Sequence, residues 1–331
     1  MKKKLIAMLL SAAMCLSLAA CGQKADTPDT TDPAEPSGDA ATYTVGICQL
    51  VQHEALDAAT QGFIDALNEA LPGQVKIEEK NASGDSNSCA TIVNGFVSEG
   101  VDLIMANATA ALQAAASATS DIPVLGTSIT AYGVALDIDD FSGTVGGNVS
   151  GTSDLADLSK QADMITEWFP ETQKVGLLFC SAEPNSRYQI DEVRKALEAQ
   201  GVTCEEFAFT DSNDVSSVAQ KAADFSDVVY IPTDNTAASN TEAIANVLIP
   251  AGVPAICGEE GLCRGCGVAT LSISYYDLGV TTGKMAAKIL KGEANISEMP
   301  VEYTDATPKY NASICDQLGI TPLDGYEAID G

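Results

Sequence analysis

Basic and aromatic side chains are scarce in this sequence. Of 331 residues, 17 are Lys or Arg against 46 Asp or Glu, giving a net charge of −29; one is a histidine, and aromatics make up 5%. So acidic a chain repels phosphate backbones and anionic headgroups, which excludes a nucleic-acid partner and direct adsorption to a membrane. The same charge keeps a surface soluble, so it does not by itself imply a cationic ligand. Cys257, Cys263 and Cys266 lie close together, but a four-ligand zinc site needs a fourth partner and the lone His53 is far off in sequence. No metal and no cofactor is expected. A Gly-x-Ser-x-Gly elbow is also missing, and His53 as a general base would need a nucleophile within hydrogen-bond reach. These residues do not support an enzyme.

Long apolar runs are absent beyond the N-terminus. There Lys2, Lys3 and Lys4 precede an apolar stretch over residues 5–20, broken by two serines and free of acids. That is a signal-peptide layout, and it is shorter than the roughly 20 apolar residues of a spanning helix. It ends in Leu18-Ala19-Ala20-Cys21, which resembles the lipobox of bacterial lipoproteins and implies cleavage before Cys21 and acylation of its thiol, as by palmitate. An ordinary signal peptide with an incidental cysteine is the alternative. Removal of residues 1–20 takes away three lysines and no acid, moving the net charge from −29 to −32. Of the ten cysteines, Cys15 leaves with the signal and Cys21 is the anchor. The other eight can pair in an exported protein or remain as small buried hydrophobes. Residues 22–41 are almost all small or polar and cannot offset their ordering entropy, so a tether is expected there.

About 290 residues follow, enough for two lobes. The order of elements is stated twice. Residues 43–49 (YTVGICQ) and 174–180 (KVGLLFC) are short apolar runs suited to buried parallel strands. Each precedes a helical stretch, residues 56–71 and 186–200. Second strands at 75–80 and 202–207 lead to helix starts at Gly84-Asp85-Ser86-Asn87 and Thr210-Asp211-Ser212-Asn213. Third strands at 102–106 and 227–231 run into Asn107-Ala108-Thr109 and Pro232-Thr233-Asp234-Asn235. Fourth strands at 122–125 and 253–256 run into Gly126-Thr127-Ser128 and Gly258-Glu259-Glu260. This alternation predicts an α/β fold of two similar doubly wound parallel-sheet lobes joined by a hinge. Loops beyond the carboxyl ends of both sheets then face one cleft. The expected organisation is a signal peptide (1–20), lipidated cysteine and tether (21–41), N-terminal lobe (42–150), C-terminal lobe (151–277), and a return crossing with C-terminal segment (278–331). The Gly- and Ser-rich residues 143–152 are expected to make the first crossing, and residues 278–290 to return a helix to the first lobe.

The motifs Gly46-Ile47-Cys48-Gln49-Leu50-Val51-Gln52-His53, Ala55-Leu56-Asp57, Gln61-Gly62-Phe63, Ala106-Asn107-Ala108-Thr109, Pro184-Asn185-Ser186, Pro232-Thr233-Asp234-Asn235, Glu259-Glu260-Gly261 and Ser274-Tyr275-Tyr276-Asp277-Leu278-Gly279 together resemble the substrate-binding lipoproteins of ABC transporters. The resemblance covers nearly the whole chain after the tether. It is to the tryptophan and aromatic amino-acid binders, of the type I periplasmic-binding-protein fold. The Leu262-Cys263-Arg264-Gly265-Cys266 stretch departs from that pattern. The resemblance implies a monomer on the extracytoplasmic face of the cell membrane, held by lipid alone, passing a small solute to ABC permease subunits.

A zwitterionic amino acid needs N–H and hydroxyl donors for its carboxylate and oxygen acceptors for its ammonium. Thr109, Thr127 and Ser128 with Asn185 are placed for the first, Asp234, Glu259 and Glu260 for the second, and Gln49 and Asn235 for either. Thr109, Asn185 and Asp234 are equally suited to be helix N-caps. Tyr275 or Tyr276 can stack on an aromatic ligand or be packed at a hinge. A surface adhesin or sensory receptor on the same lobes is the competing reading, and it differs by engaging a protein partner.

Overall fold

The computed structural model describes residues 43–329, so the signal peptide, Cys21 and the tether lie outside the described residues. The first half of the chain alternates β1 (Tyr43–Gln49), α1 (Glu54–Ala70), β2 (Val75–Asn81), α2 (Ser86–Glu99), β3 (Leu103–Asn107), α3 (Thr109–Ala118), β4 (Val124–Ile129), the short α4 (Tyr132–Ala135) and β5 (Val149–Ser153). The second repeats the scheme with α5 (Leu158–Trp168), β6 (Lys174–Cys180), α6 (Pro184–Ala199), β7 (Thr203–Phe209), α7 (Val215–Phe225), β8 (Val228–Ile231), α8 (Asn235–Ala238), α9 (Thr241–Ala251), β9 (Ala255–Cys257), α10 (Glu260–Cys266) and β10 (Ala269–Ser272). The chain finishes with α11 (Tyr275–Leu290), β11 (Glu302–Tyr303), β12 (Thr307–Tyr310), α12 (Ala312–Leu318) and β13 (Glu327–Ala328).

Two sheets form, in the orders β11-β5-β4-β3-β1-β2 and β13-β12-β10-β9-β8-β6-β7. The central order 2-1-3-4-5 of the first is therefore repeated in the second as 7-6-8-9-10. All pairings are parallel except that of β10 with β12. Burial on both faces explains the unbroken apolar strands. Along β1, Val45 and Ile47 join the cluster beneath α1 and α11, whereas Cys48 joins the one beneath α2 and α3. Along β6, Leu177 and Phe179 face one cluster and Leu178 and Cys180 the other. Each such Leu or Phe contributes about 1.5–3 kcal/mol by leaving water.

Local chemistry sets the helix ends. Asp85 accepts from Asn87 N, Asp157 from Ser159 N and Lys160 N, and Ser274 from Asp277 N, while Gly100 closes α2 in the left-handed region at φ 69°. Each side-chain cap satisfies a donor the helix leaves open.

Two sequence expectations are corrected. Residues 143–152 do not make the first crossing. Val149–Ser153 pairs in parallel with β4, so the chain leaves the first sheet only after Ser153. Likewise Gly126, Thr127 and Ser128 are not a loop but the continuation of β4. The helix after β10 does return to the first lobe. It packs along α1, where an added Cβ on Gly279 would collide with the Ala59 carbonyl and one on Gly62 with the Tyr276 carbonyl. Only glycine permits that approach. β11 then completes the first sheet beside β5, and β12 returns to the second beside β10.

Candidate functional site

The carboxyl ends of both sheets meet around a narrow, partly enclosed cavity of about 10 Å3. From the first sheet come His53 and Leu56 at the β1–α1 turn, Ser128 and Thr130 at the end of β4, and Asp154 just after β5. From the second come Asn185 on α6, Thr233, Asp234 and Asn235 after β8, Glu259 after β9 and Tyr275 at the start of α11.

Two first-sheet residues stand out. Ser128 sits at φ 56°, a left-handed backbone rarely held by a residue with a side chain, and its buried hydroxyl has no hydrogen-bond partner among the described residues. Strain of that kind costs about 1–3 kcal/mol and collects at functional positions. Asp154 is also buried. Its Oδ2 accepts from the Tyr275 hydroxyl at 2.8 Å, and its Oδ1 has no partner among the described residues. Burial pushes its carboxyl above the ordinary range against the opposing pull of the Tyr275 and Thr130 hydroxyls. A buried carboxylate oxygen without a donor is costly unless a ligand supplies one.

The second-sheet acids are satisfied within the protein. Asp234 caps α8 through Ala237 N (2.8 Å) and holds Cys180 N (2.6 Å). Burial, then the neighbouring Glu183, push its pKa up to about 8. Glu259 caps α10 through Gly261 N (2.6 Å) and Leu262 N (2.5 Å), and burial pushes it up to about 7. Glu183 accepts from Asn235 N and Nδ2, from Thr236 N and Oγ1, and from Asn185 Nδ2, tying α6 to α8.

Of the ligand-binding residues expected from sequence, Ser128, Asn185, Asp234, Asn235, Glu259 and Tyr275 line the cavity. Four lie elsewhere. Gln49 is spent on Val51 O, Asp57 and Thr60. Thr127 belongs to a buried hydroxyl triad with Thr152 and Thr282 that fastens β4, β5 and α11 together. Thr109 is buried as the first residue of α3. Glu260 faces outward to Arg264 (2.8 Å) and Lys309 (2.5 Å). As for N-caps, Asp234 is one, but Ala108 and Glu183 hold the cap positions of α3 and α6, so Thr109 and Asn185 stand inside the helices. Tyr276 is exposed and bonds Asp65. Cys263 and Cys266 on α10 and Cys257 at the end of β9 are buried thiols, unpaired among the described residues. Asp154, Thr130 and Glu183 were missed by sequence reasoning. Asp154 carried a signal, an acid directly after a strand, that was hidden because β5 was not read as a strand.

The lobes are bridged beside the cavity by His53 Nε2, which meets Asn235 Oδ1 at 3.2 Å, and by Arg264 Nε, which grips Glu54 at 2.9 and 3.1 Å. Tyr275, on the helix that packs against α1, meets Asp154 at the crossing. With these bonds made across so narrow a cavity, the lobes are shut.

Two repeated doubly wound lobes closed on a polar interior define a solute-binding protein of the periplasmic-binding-protein type. The chain belongs to the family of ABC transporter substrate-binding proteins, whose model matches residues 44–325. It is 30% identical over 312 residues, 92% of this chain and 89% of the relative, to a tyrosine-binding protein of Clostridioides difficile (strain R20291). It is 32% identical to an ABC domain from Streptococcus pneumonia solved in complex with L-Trp, with a TM-score of 0.82 over 87% of this chain and all of that one. A ligand-free, open substrate-binding protein with adhesive properties from Clostridium difficile is also 32% identical, but superposes with a TM-score of 0.66 over 87% of this chain and 99% of that one. At equal identity the superposition favours the liganded relative, in keeping with the shut lobes. These relatives are binding proteins, and so is this chain, rather than an enzyme.

Proposed function

We propose that the protein is the lipid-anchored, extracytoplasmic receptor of an ABC importer, and that its solute is an aromatic amino acid. The observation that carries the reading is the pair of buried, unpartnered groups, Asp154 Oδ1 and Ser128 Oγ, lining one cavity. One is an acceptor suited to the α-ammonium and the other a donor suited to the α-carboxylate. Leu56, His53 and Tyr275 offer apolar surface to a ring, and the liganded relative supports an aromatic side chain. The ligand touches both lobes at once and so stabilises the shut form over the open one. Cys21 supplies the anchor, and ABC permease subunits are the partners the family implies.

Thermal-shift titration of the purified protein against the amino acids, with nucleosides, sugars and metals as controls, tests the solute. A ligand at 100 times its dissociation constant adds about 2.7 kcal/mol. A rise confined to aromatic amino acids is expected, and a rise with none of them overturns the reading. The adhesive Clostridium difficile relative supports a second role in adhesion. Loss of cell attachment in a deletion strain, with the amino-acid shift unaffected, would mark that role as separate.

A further inference from the structure

Three buried thiols converge at one place in the second lobe. Cys257 ends β9, and Cys263 and Cys266 lie on α10, in the stretch that departs from the family's pattern. None is more than 2% exposed. Gly267, directly after α10, has φ −112°, a backbone open to any residue. A Cβ built there would nonetheless lie 2.4 Å from Cys257 Sγ. Glycine at this position therefore makes room for a sulfur atom to reach the end of α10.

The contacts distinguish the two thiols of α10. Cys266 donates its S–H to Leu262 O at 3.3 Å, which leaves its sulfur lone pairs as acceptors. The Cys257 thiol hydrogen-bonds with Cys266, and burial, followed by this bond, holds its pKa well up. Cys263 stands beside Cys257 without such a bond.

We infer that Cys257 and Cys266 form a disulfide, a modification site that ties the end of β9 to the end of α10. The oxidant is an external disulfide, either glutathione disulfide or the active-site disulfide of an oxidoreductase. One cysteine attacks it to give a mixed disulfide, and the other displaces the remaining external thiolate. One S–S bond forms in the protein, one external S–S bond breaks, and the two thiol protons pass to the two external thiolates. Both cysteines are shielded from water, so uncatalysed exchange waits on local opening and takes minutes to hours. Residues 257–266 include Glu259, which lines the cavity, and Arg264, which bonds Glu54 of the first lobe. Oxidation pins the loop through which the second lobe meets both. None of this depends on which solute the cavity holds.

The purified protein is equilibrated with glutathione disulfide, and a second sample is refolded from urea in the same buffer so that burial cannot mask pairing. Both are alkylated and digested without reduction, with trypsin and a glutamate-specific protease. Cleavage after Arg264 and after Glu259 or Glu260 puts each of the three cysteines on its own peptide. A species joining the peptides of Cys257 and Cys266 is expected, and it should vanish on treatment with dithiothreitol. Joining of Cys263 to either neighbour instead overturns the pairing, and alkylation of all three thiols in both samples overturns the site. The rise in Tm on oxidation should be about 2–6 °C larger in the wild type than in Cys266→Ala. Equal rises would overturn the claim that the bond pins the cavity wall.

Discussion

Replacing Asp154 by Asn separates a ligand-binding carboxylate from a structural one. The amide preserves shape and still accepts from the Tyr275 hydroxyl, now 2.8 Å from Oδ2, but it removes the charge proposed to meet the ammonium. Losing one partner of a desolvated, hydrogen-bonded charge pair costs about 2–5 kcal/mol, or roughly 30- to 5000-fold in affinity. The ligand-free protein should behave in the opposite sense. Asp154 Oδ1 is buried with no donor, so neutralising the group is expected to leave stability unchanged or raise it by about 1 kcal/mol, near 2 °C in Tm. Calorimetry with the amino acid that shifts the wild type, together with thermal scans of the ligand-free variant, reads both terms. An affinity within about threefold of wild type would remove Asp154 from the site. A ligand-free Tm many degrees lower would make it a structural residue instead.

Glu54→Gln, which loosens the cross-lobe bond to Arg264, should weaken binding by no more than about fivefold at low salt and negligibly in 0.5 M NaCl, because these side chains are 53% and 33% exposed; titrations at two salt concentrations would contradict this by showing a salt-independent loss. Gly279→Ala drives a methyl into the Ala59 carbonyl and should cost about 1–3 kcal/mol or more, read as a lower Tm; an unchanged Tm would mean that α1 and α11 are not locked. The pH dependence follows from buried acids whose folded pKa values, about 8 for Asp234 and about 7 for Glu259, lie above their ordinary values of 3.8 and 4.5. Such a group binds its proton more tightly when folded, so the ligand-free protein should gain stability as pH falls from about 8 towards 5. Asp85 and Asp157, shifted downward, act only near and below pH 4. In Glu259→Gln the gain between pH 7 and 5 should shrink, and an unaltered Tm-against-pH slope would refute the assignment.

The doubled strand order could be read directly because β1, β3, β6 and β8 are apolar runs that must be covered on both faces. β5 was not readable in that way. Its residues, VSGTS, are small and carry no apolar run, yet all five are buried. Missing that strand misplaced the crossing and concealed Asp154. Ser128 was chosen for the right cavity on the wrong ground, as a loop residue, whereas it closes β4 with a left-handed backbone that no residue pattern announces. Glu259 and Glu260 could not be told apart in sequence. The cap geometry turns the first into the cavity and leaves the second on the surface. Gln49 and Thr127 are polar residues at strand ends, just as site residues are, and only tertiary contacts commit them to interior fastening.

The three passages between lobes lie at neighbouring strands, since β5 adjoins β11 in one sheet and β10 adjoins β12 in the other. Parallel links along one edge resist sliding and twisting but yield to bending, and the glycine contact that clamps α11 to α1 makes that helix move as part of the first lobe. Bending about that edge is therefore the expected motion, and in the receptor role proposed above a solute would set the bend only to the extent that it bridges the two walls.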